Sequence, residues 1–180
     1  MYKRQVYYYL LKVTPQGRPA PVWPALREEF TAYLGHGVCG DLVASLPDTP
    51  PFHHDLLELS RHEWGVPRAI LLGDAAHAMT PNVGQGAAMA IEDALVLARV
   101  LDDGVDGALL RYRTLRAPRV REIASRARQF GQMALMRGRL ATGARAAMFR
   151  ATPQRYYDES WRTMIGGGVD LVGSLGSSGS

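Results

Sequence analysis

The sequence holds a single cysteine, Cys39, so no disulfide can form within the chain. That composition favours a reducing compartment, and a cytoplasmic setting is expected. No stretch reaches the roughly 18 uncharged apolar residues of a spanning helix. Val6 to Val13 is short, rich in tyrosine and interrupted by Lys12, so it is neither a membrane span nor the apolar core of a signal peptide. No internal repeat is present. What remains is a chain of 180 residues, 47% hydrophobic and 21% charged, which excludes disorder over most of its length. Its size suits one ordinary domain with a real core.

The net charge of +4 is unevenly spread. Residues 1–106 carry 8 Lys/Arg against 13 Asp/Glu, whereas residues 107–163 carry 13 against 3. A basic stretch of this kind can be a nucleic-acid footprint. The arginines at 111, 113, 116, 119, 121, 126 and 128 do not share one helical face, and no zinc-finger, RNP-type or helix-turn-helix signature accompanies them. A solvated face that pairs partly with the acidic half is the favoured expectation. A basic helical nucleic-acid-binding protein is the alternative.

Periodicity sets the expected elements. Tyr7–Val13 reads as a strand ending at Thr14-Pro15-Gln16-Gly17. Ala25–Leu34 has helical spacing, with Leu26, Phe30 and Leu34 on one face and Gly35 as a stop. Asp41–Leu46 suits a short second helix, and a strand is expected near Leu56–Arg61. Ala69-Ile70-Leu71-Leu72 is wholly apolar and suits a strand buried on both faces, as in a parallel sheet. The next helix spans about Gly86–Leu101, with Ala88, Ile91, Leu95 and Ala98 as its buried stripe, widened by Ala87, Ala90, Ala94 and Leu97. Asp106 is the expected N-cap of a long helix through Phe130, kinked at Pro118. Helices are expected again over Met133–Phe149 and Tyr156–Met164. From Gly166 the chain holds six Gly and four Ser in fifteen residues and reads as a flexible tail.

The chemistry-bearing segment follows the apolar run. A strand there delivers Gly73-Asp74 to a sheet edge, where ligands of open α/β sheets bind. The Asp74 carboxylate can accept hydrogen bonds from ligand hydroxyls. Gly84 and Gly86 allow close backbone approach at a helix start, where free N–H groups favour negative charge. Such a site fits a polyol joined to an electron-rich ring edge.

The run Gly73-Asp74-Ala75-Ala76-His77, then Pro81, then Gly84-Gln85-Gly86, then Glu92-Asp93-Ala94 resembles the second FAD motif of the single-component flavin monooxygenases. These are the para-hydroxybenzoate hydroxylase-like aromatic hydroxylases and epoxidases. Weaker resemblance extends to Trp64, and to Arg111-Tyr112 through Pro118-Arg119. The resemblance implies that Asp74 binds the ribityl chain of FAD, that Gly73 is a cofactor-binding position beside it, and that Pro81 packs beside the isoalloxazine near where oxygen reacts. It implies that Gly84, Gln85, Gly86, Ala87 and Ala88 face the flavin N1–C2=O edge. Many relatives have Asn where Ala88 stands; Ala keeps a contact made by the backbone N–H and loses one made by the side chain. The implied reaction uses NAD(P)H to reduce FAD and O2 to hydroxylate or epoxidise a small organic, aromatic or unsaturated, substrate.

The implied fold class is α/β: the C-terminal portion of a Rossmann-like FAD-binding fold, with one buried parallel strand, a flavin-facing helix and long C-terminal helices. The last strand or strands of a substrate-domain sheet precede it. The corresponding divisions are 1–63 (end of the substrate sheet), 64–105 (second FAD motif), 106–165 (helical region) and 166–180 (tail). No GxGxxG for the ADP half of FAD occurs, so the chain is expected to be an inactive portion of a longer flavoprotein that does not itself bind FAD tightly. Met1–Gln5 resembles translated transposon-end sequence and is expected to be foreign to the fold. A halogenase or reductase of the same superfold is a second reading.

Several residues invite stronger claims than their context supports. His77 is expected to pack rather than act as an acid or base. His53, His54 and His62 match no common metal spacing and are expected in exposed loops. Met133, Met136 and Met148 are expected to fill core. Glu92 and Asp93 are given a structural role near a helix start, and Cys39 is an inert thiol.

Overall fold

The computed structural model describes residues 22–50, 52 and 55–176. The chain divides into two compact units, residues 1–55 and 56–180. The expected strand at Tyr7–Val13 lies outside the described residues.

In the first unit, α1 (Ala25–Leu34) pairs with α2 (Val38–Ala44). Leu26, Phe30 and Leu34 are half-buried on α1, as their spacing predicts, with Arg27 and Thr31 beside them, and Gly35 ends the helix at φ 64°. A Cβ at Gly40 would run into the Gly35 carbonyl oxygen, so only glycine permits this approach of the two helices. Arg27 closes the pair by donating to the Leu46 carbonyl at 2.6 Å and meeting Asp48 at 2.7 Å.

The second unit opens on an irregular segment rather than the strand expected near Leu56–Arg61. Its backbone is nonetheless paired: the Leu59 and Glu63 N–H groups donate to the Ala78 and Ala76 carbonyls, both at 2.9 Å. The apolar run at 69–72 is not a buried parallel strand in the described residues. Instead β1 (Gly65–Val66) and β2 (Ala69–Ile70) form an antiparallel hairpin in the register Gly65↔Ile70, Val66↔Ala69. Pro67-Arg68 makes the two-residue turn. Gly65 is required there, because a Cβ would stand 2.0 Å from the Ala69 oxygen. Ala69 and Leu72 are exposed, and Ile70 and Leu71 half-buried.

After two short turns at 74–83, four longer helices follow among the described residues: α4 (Gly86–Asp102), α5 (Ala108–Ala134), α6 (Arg139–Ala151) and α7 (Gln154–Gly176). The core lies where α4, α5 and α7 meet, around Met89, Val96, Val100, Tyr112, Val120, Ile123, Ala127 and Met164, with Trp64 at its edge. The buried face of α4 is therefore not the expected one. Ile91 is 63% and Leu95 48% exposed, and Ala87, Ala94 and Ala98 face outward with them, while Glu92 and Asp93 point inward. Charge alone would assign those carboxylates to solvent; their arginine partners on α5 reverse the choice.

Other expectations shift for similar reasons. The cap of α5 is Gly107 at φ 70°, not Asp106, whose carbonyl instead accepts from Arg111 at 2.6 Å. The helix continues through Pro118 to Ala134. Residues 166–176 are not a flexible tail, since α7 runs through Gly176; the last four residues of the expected tail lie outside the described residues. Two of the glycines there are contact positions: a Cβ at Gly168 would lie 2.1 Å from Glu92 Oε1, and one at Gly167 would lie 3.0 Å from Arg119 Nη1. Glycine here lets one helix press on another's side chains. Met136 and Met148 are exposed and Met133 half-buried; the methionines that fill core are Met89 and Met164.

Candidate functional site

The motif residues occupy three successive pieces of backbone. Gly73, at φ 54° and ψ −136°, turns the chain out of the hairpin into a single helical turn, α3 (Asp74–His77). Asp74 is exposed at the first position of that turn. A 3-10 turn at Pro81–Val83 follows, with Pro81 exposed at its start and Gly84 closing it in the left-handed region at φ 63°. Gln85 is the N-cap of α4 and makes no side-chain capping bond. The first-turn N–H groups at Gly86, Ala87 and Ala88 are thus left without helical acceptors. A Cβ at Gly84 or at Gly86 would meet nothing within 4 Å, so both glycines border open space.

The turn and the helix start are held from behind. Asn82 donates to Thr80 Oγ1 and to the Ala127 carbonyl on α5, both at 3.0 Å. Gly131 makes room for this, because a Cβ there would stand 2.4 Å from Asn82 Nδ2. On the other side Gly73 fits closely against α4, where a Cβ would lie 3.0 Å from that of Ala90.

Beneath the turn lies a buried ionic network. Asp93 is fully buried; its Oδ2 accepts from the Gly73 N–H at 2.8 Å and lies 2.7 Å from His77 Nε2. Its Oδ1 accepts from Arg116 Nε at 2.6 Å. The same arginine, also fully buried, meets Glu92 at 2.5 Å and donates to the Met89 carbonyl at 3.1 Å. Arg119 adds a contact to Glu92 at 3.3 Å and donates to the Met164 carbonyl of α7. Burial pushes the Asp93 carboxyl up, but hydrogen bonds from His77, Arg116 and Gly73 outweigh it and hold the group below the usual carboxylate range. Burial, then the nearby Asp93 carboxylate, pushes the Tyr112 phenol well above its usual range. Its hydroxyl is buried without a hydrogen bond of good geometry.

His77 is packed as expected, with the Trp64 ring 5.7 Å away and the His62 ring edge-on at 6.4 Å. Desolvation, helped by His77, Arg128 and Arg121, lowers the pKa of half-buried His62. His53 and His54 lie outside the described residues. Among the described residues, no group of three or more His, Cys, Asp or Glu is placed to hold a metal ion. No helix among them is long and apolar enough to cross a membrane.

The structure thus brings Gly73, Asp74, Pro81, Gly84, Gln85, Gly86, Ala87 and Ala88 onto the connected turns that lead into α4. Sequence reasoning misses what supports them. Arg116 and Arg119 belong to the interior rather than to a solvated basic face, which removes both from any surface that could meet nucleic acid. The signal was present: Tyr112, Arg116, Arg119, Val120, Ile123 and Ala127 share one helical stripe. On α4, Met89, Glu92, Asp93, Val96 and Val100 do the same. Opposite charges within two facing apolar stripes point to a buried pairing.

Residues 51–127 match the family described as FAD binding domain. Aurachin C monooxygenase/isomerase of Stigmatella aurantiaca is 32% identical over 151 residues, covering 81% of this chain and 39% of that protein. The 2-heptyl-3-hydroxy-4(1H)-quinolone synthase of Pseudomonas aeruginosa is 52% identical over 65 residues, or 36% of this chain and 17% of the relative. Salicylate hydroxylase of Pseudomonas putida is 33% identical over 138 residues, 67% of this chain and 31% of the relative. Among solved structures, Klebsiella pneumoniae HpxO complexed with FAD and uric acid superposes with a TM-score of 0.70 at 25% identity, over 83% of this chain and 40% of that one. The chain therefore spans about two fifths or less of these relatives. Residues 51–127 are thus similar to the FAD binding domain family, and most of the chain is similar to parts of proteins named as a monooxygenase and a hydroxylase.

Proposed function

We propose that the protein carrying this chain is an FAD-dependent monooxygenase that takes electrons from NAD(P)H and inserts oxygen from O2 into a small aromatic or unsaturated substrate. The observation that carries the reading is the uncapped start of α4 beside Gly84 and Gly86, both open to space, with the exposed Asp74 carboxylate on the preceding turn. These residues fit FAD. Asp74 would accept hydrogen bonds from the ribityl hydroxyls, with Gly73 placing it. Pro81 would pack against the ring, and the backbone from Gly84 to Ala88 would face its N1–C2=O edge.

Bound there, the flavin supplies the redox chemistry and the activation of oxygen. The chain contributes preorganised electrostatics. N–H groups fixed at a helix start stabilise negative charge on the ring edge without reorganising when that charge develops. Because Ala88 carries no polar side chain, any hydrogen bond at that position comes from the backbone. The packing of Asn82 on α5 fixes the loop that carries Pro81 and Gly84.

The test is direct. The protein is expressed from its complete natural reading frame, and its visible spectrum is recorded before and after incubation with FAD. A flavin spectrum bleached anaerobically by NADH or NADPH is expected. A colourless protein that cannot be reconstituted would defeat the reading.

A further inference from the structure

We infer that Asp93 is a positioning residue for the Gly73–His77 turn, and that one of its oxygens sets where Asp74 presents its carboxylate. The inference rests on the flavin reading of that turn. Asp74 is exposed, and its side chain makes no hydrogen bond or ion pair within the described residues, so the backbone alone decides its position. That backbone is anchored in an unusual way. Asp93 Oδ2 takes the Gly73 N–H at one end of the turn and lies 2.7 Å from His77 Nε2 at the other end. A single buried oxygen therefore closes a ring across five residues. The Gly73 carbonyl closes it from the other side, accepting from the Ala76 and His77 N–H groups, both at 2.9 Å.

The chemistry of the groups fixes the donor. An ionised carboxylate only accepts, so His77 must carry its proton on Nε2 and donate it to Asp93. The second oxygen, Oδ1, is committed to Arg116 Nε at 2.6 Å, which ties the orientation of the carboxylate to α5. Asp93 thus joins three elements: α5 orients it, α4 carries it, and the turn before Asp74 hangs from it. Replacing it by Asn leaves one oxygen where two are used, and the amide nitrogen must face either Arg116 or the donors of the turn.

The experiment measures FAD affinity by flavin fluorescence quenching in the protein made from its complete reading frame, with Asp93→Asn compared against Val96→Ala. Val96 is fully buried on the same face of α4 and touches none of the turn's hydrogen bonds, so its variant reports on stability alone. Asp93→Asn is expected to raise the dissociation constant by about 10-fold or more, the scale on which residues orienting a ligating group act. Val96→Ala should stay within about twofold of the wild type at a comparable drop in Tm. A second measurement needs no variant: hydrogen exchange at the 73–77 amides of the wild type should slow when FAD is added. Asp93→Asn binding as tightly as the wild type, equal losses in both variants, or amides at 73–77 indifferent to bound FAD would each overturn the inference while leaving the flavin reading intact. A wild-type protein that takes up no FAD overturns both.

Discussion

Arg116 offers the sharpest check on how this unit is held together. It is fully buried, and its guanidinium serves two carboxylates at once, Glu92 at 2.5 Å and Asp93 at 2.6 Å, as well as the Met89 carbonyl. Replacing it by Met keeps much of the volume and removes the charge, leaving two carboxylates facing an apolar side chain. Breaking one side of a buried pair costs about 3–5 kcal/mol, because the remaining charge is left uncompensated. Arg119 still reaches Glu92, so the deficit falls mainly on Asp93. The loss should depend on pH. In the wild type, Asp93 is held below its ordinary value of 3.8, so its contribution is complete above that value and is lost as the pH falls through the lowered one. Without Arg116 one of the groups that lowers it is gone, and protonation relieves the unpaired charge at a higher pH. The gap between variant and wild type should therefore narrow as the pH is taken from 7 down toward 4.

The assay is urea unfolding followed by far-UV circular dichroism at several pH values. Arg126→Met serves as the control, since Arg126 meets Glu122 at 2.9 Å on an exposed face. That surface pair should contribute only ~0.3–0.5 kcal/mol. A loss at Arg116 no larger than at Arg126, or a gap that does not change with pH, would refute a buried, doubly engaged arginine.

Further outcomes follow from the same contacts. Gly168→Val should displace α7 and cost about 1–3 kcal/mol, read as a lower Tm, because its Cβ would fall on a Glu92 carboxylate already tied to Arg116 and Arg119. Gly166→Ala, in the same helix with nothing near its Cβ, should be neutral or stabilise by up to about 1 kcal/mol in the same melt. Asn82→Ala should cost about 1 kcal/mol and speed limited proteolysis within residues 78–85, since it removes the bond to the Ala127 carbonyl. Asp74→Asn should weaken FAD binding with little change in Tm, because that side chain is exposed and supports no other contact; unchanged binding would count against its proposed role.

The amino-acid sequence determined a good deal by itself. Glycine and proline punctuation with apolar spacing located α1 and the extents of α4 and α5 to within a few residues, because those signals act over one or two turns. The order Gly73-Asp74, Pro81, Gly84-Gln85-Gly86 located the candidate site, because a turn and a helix start draw on consecutive residues. Tertiary structure decided which faces are buried. Two facing stripes, each carrying charges that would be costly alone, become a favourable interior only when Arg116 and Arg119 meet Glu92 and Asp93 across more than twenty residues of chain. The same non-local pairing made Gly167 and Gly168 of α7 into contact points, whereas residues 69–70 became a hairpin arm by local pairing with residues 65–66. A one-dimensional pattern records that a residue is charged or small; only its partner across the fold decides whether that residue faces water or closes the core.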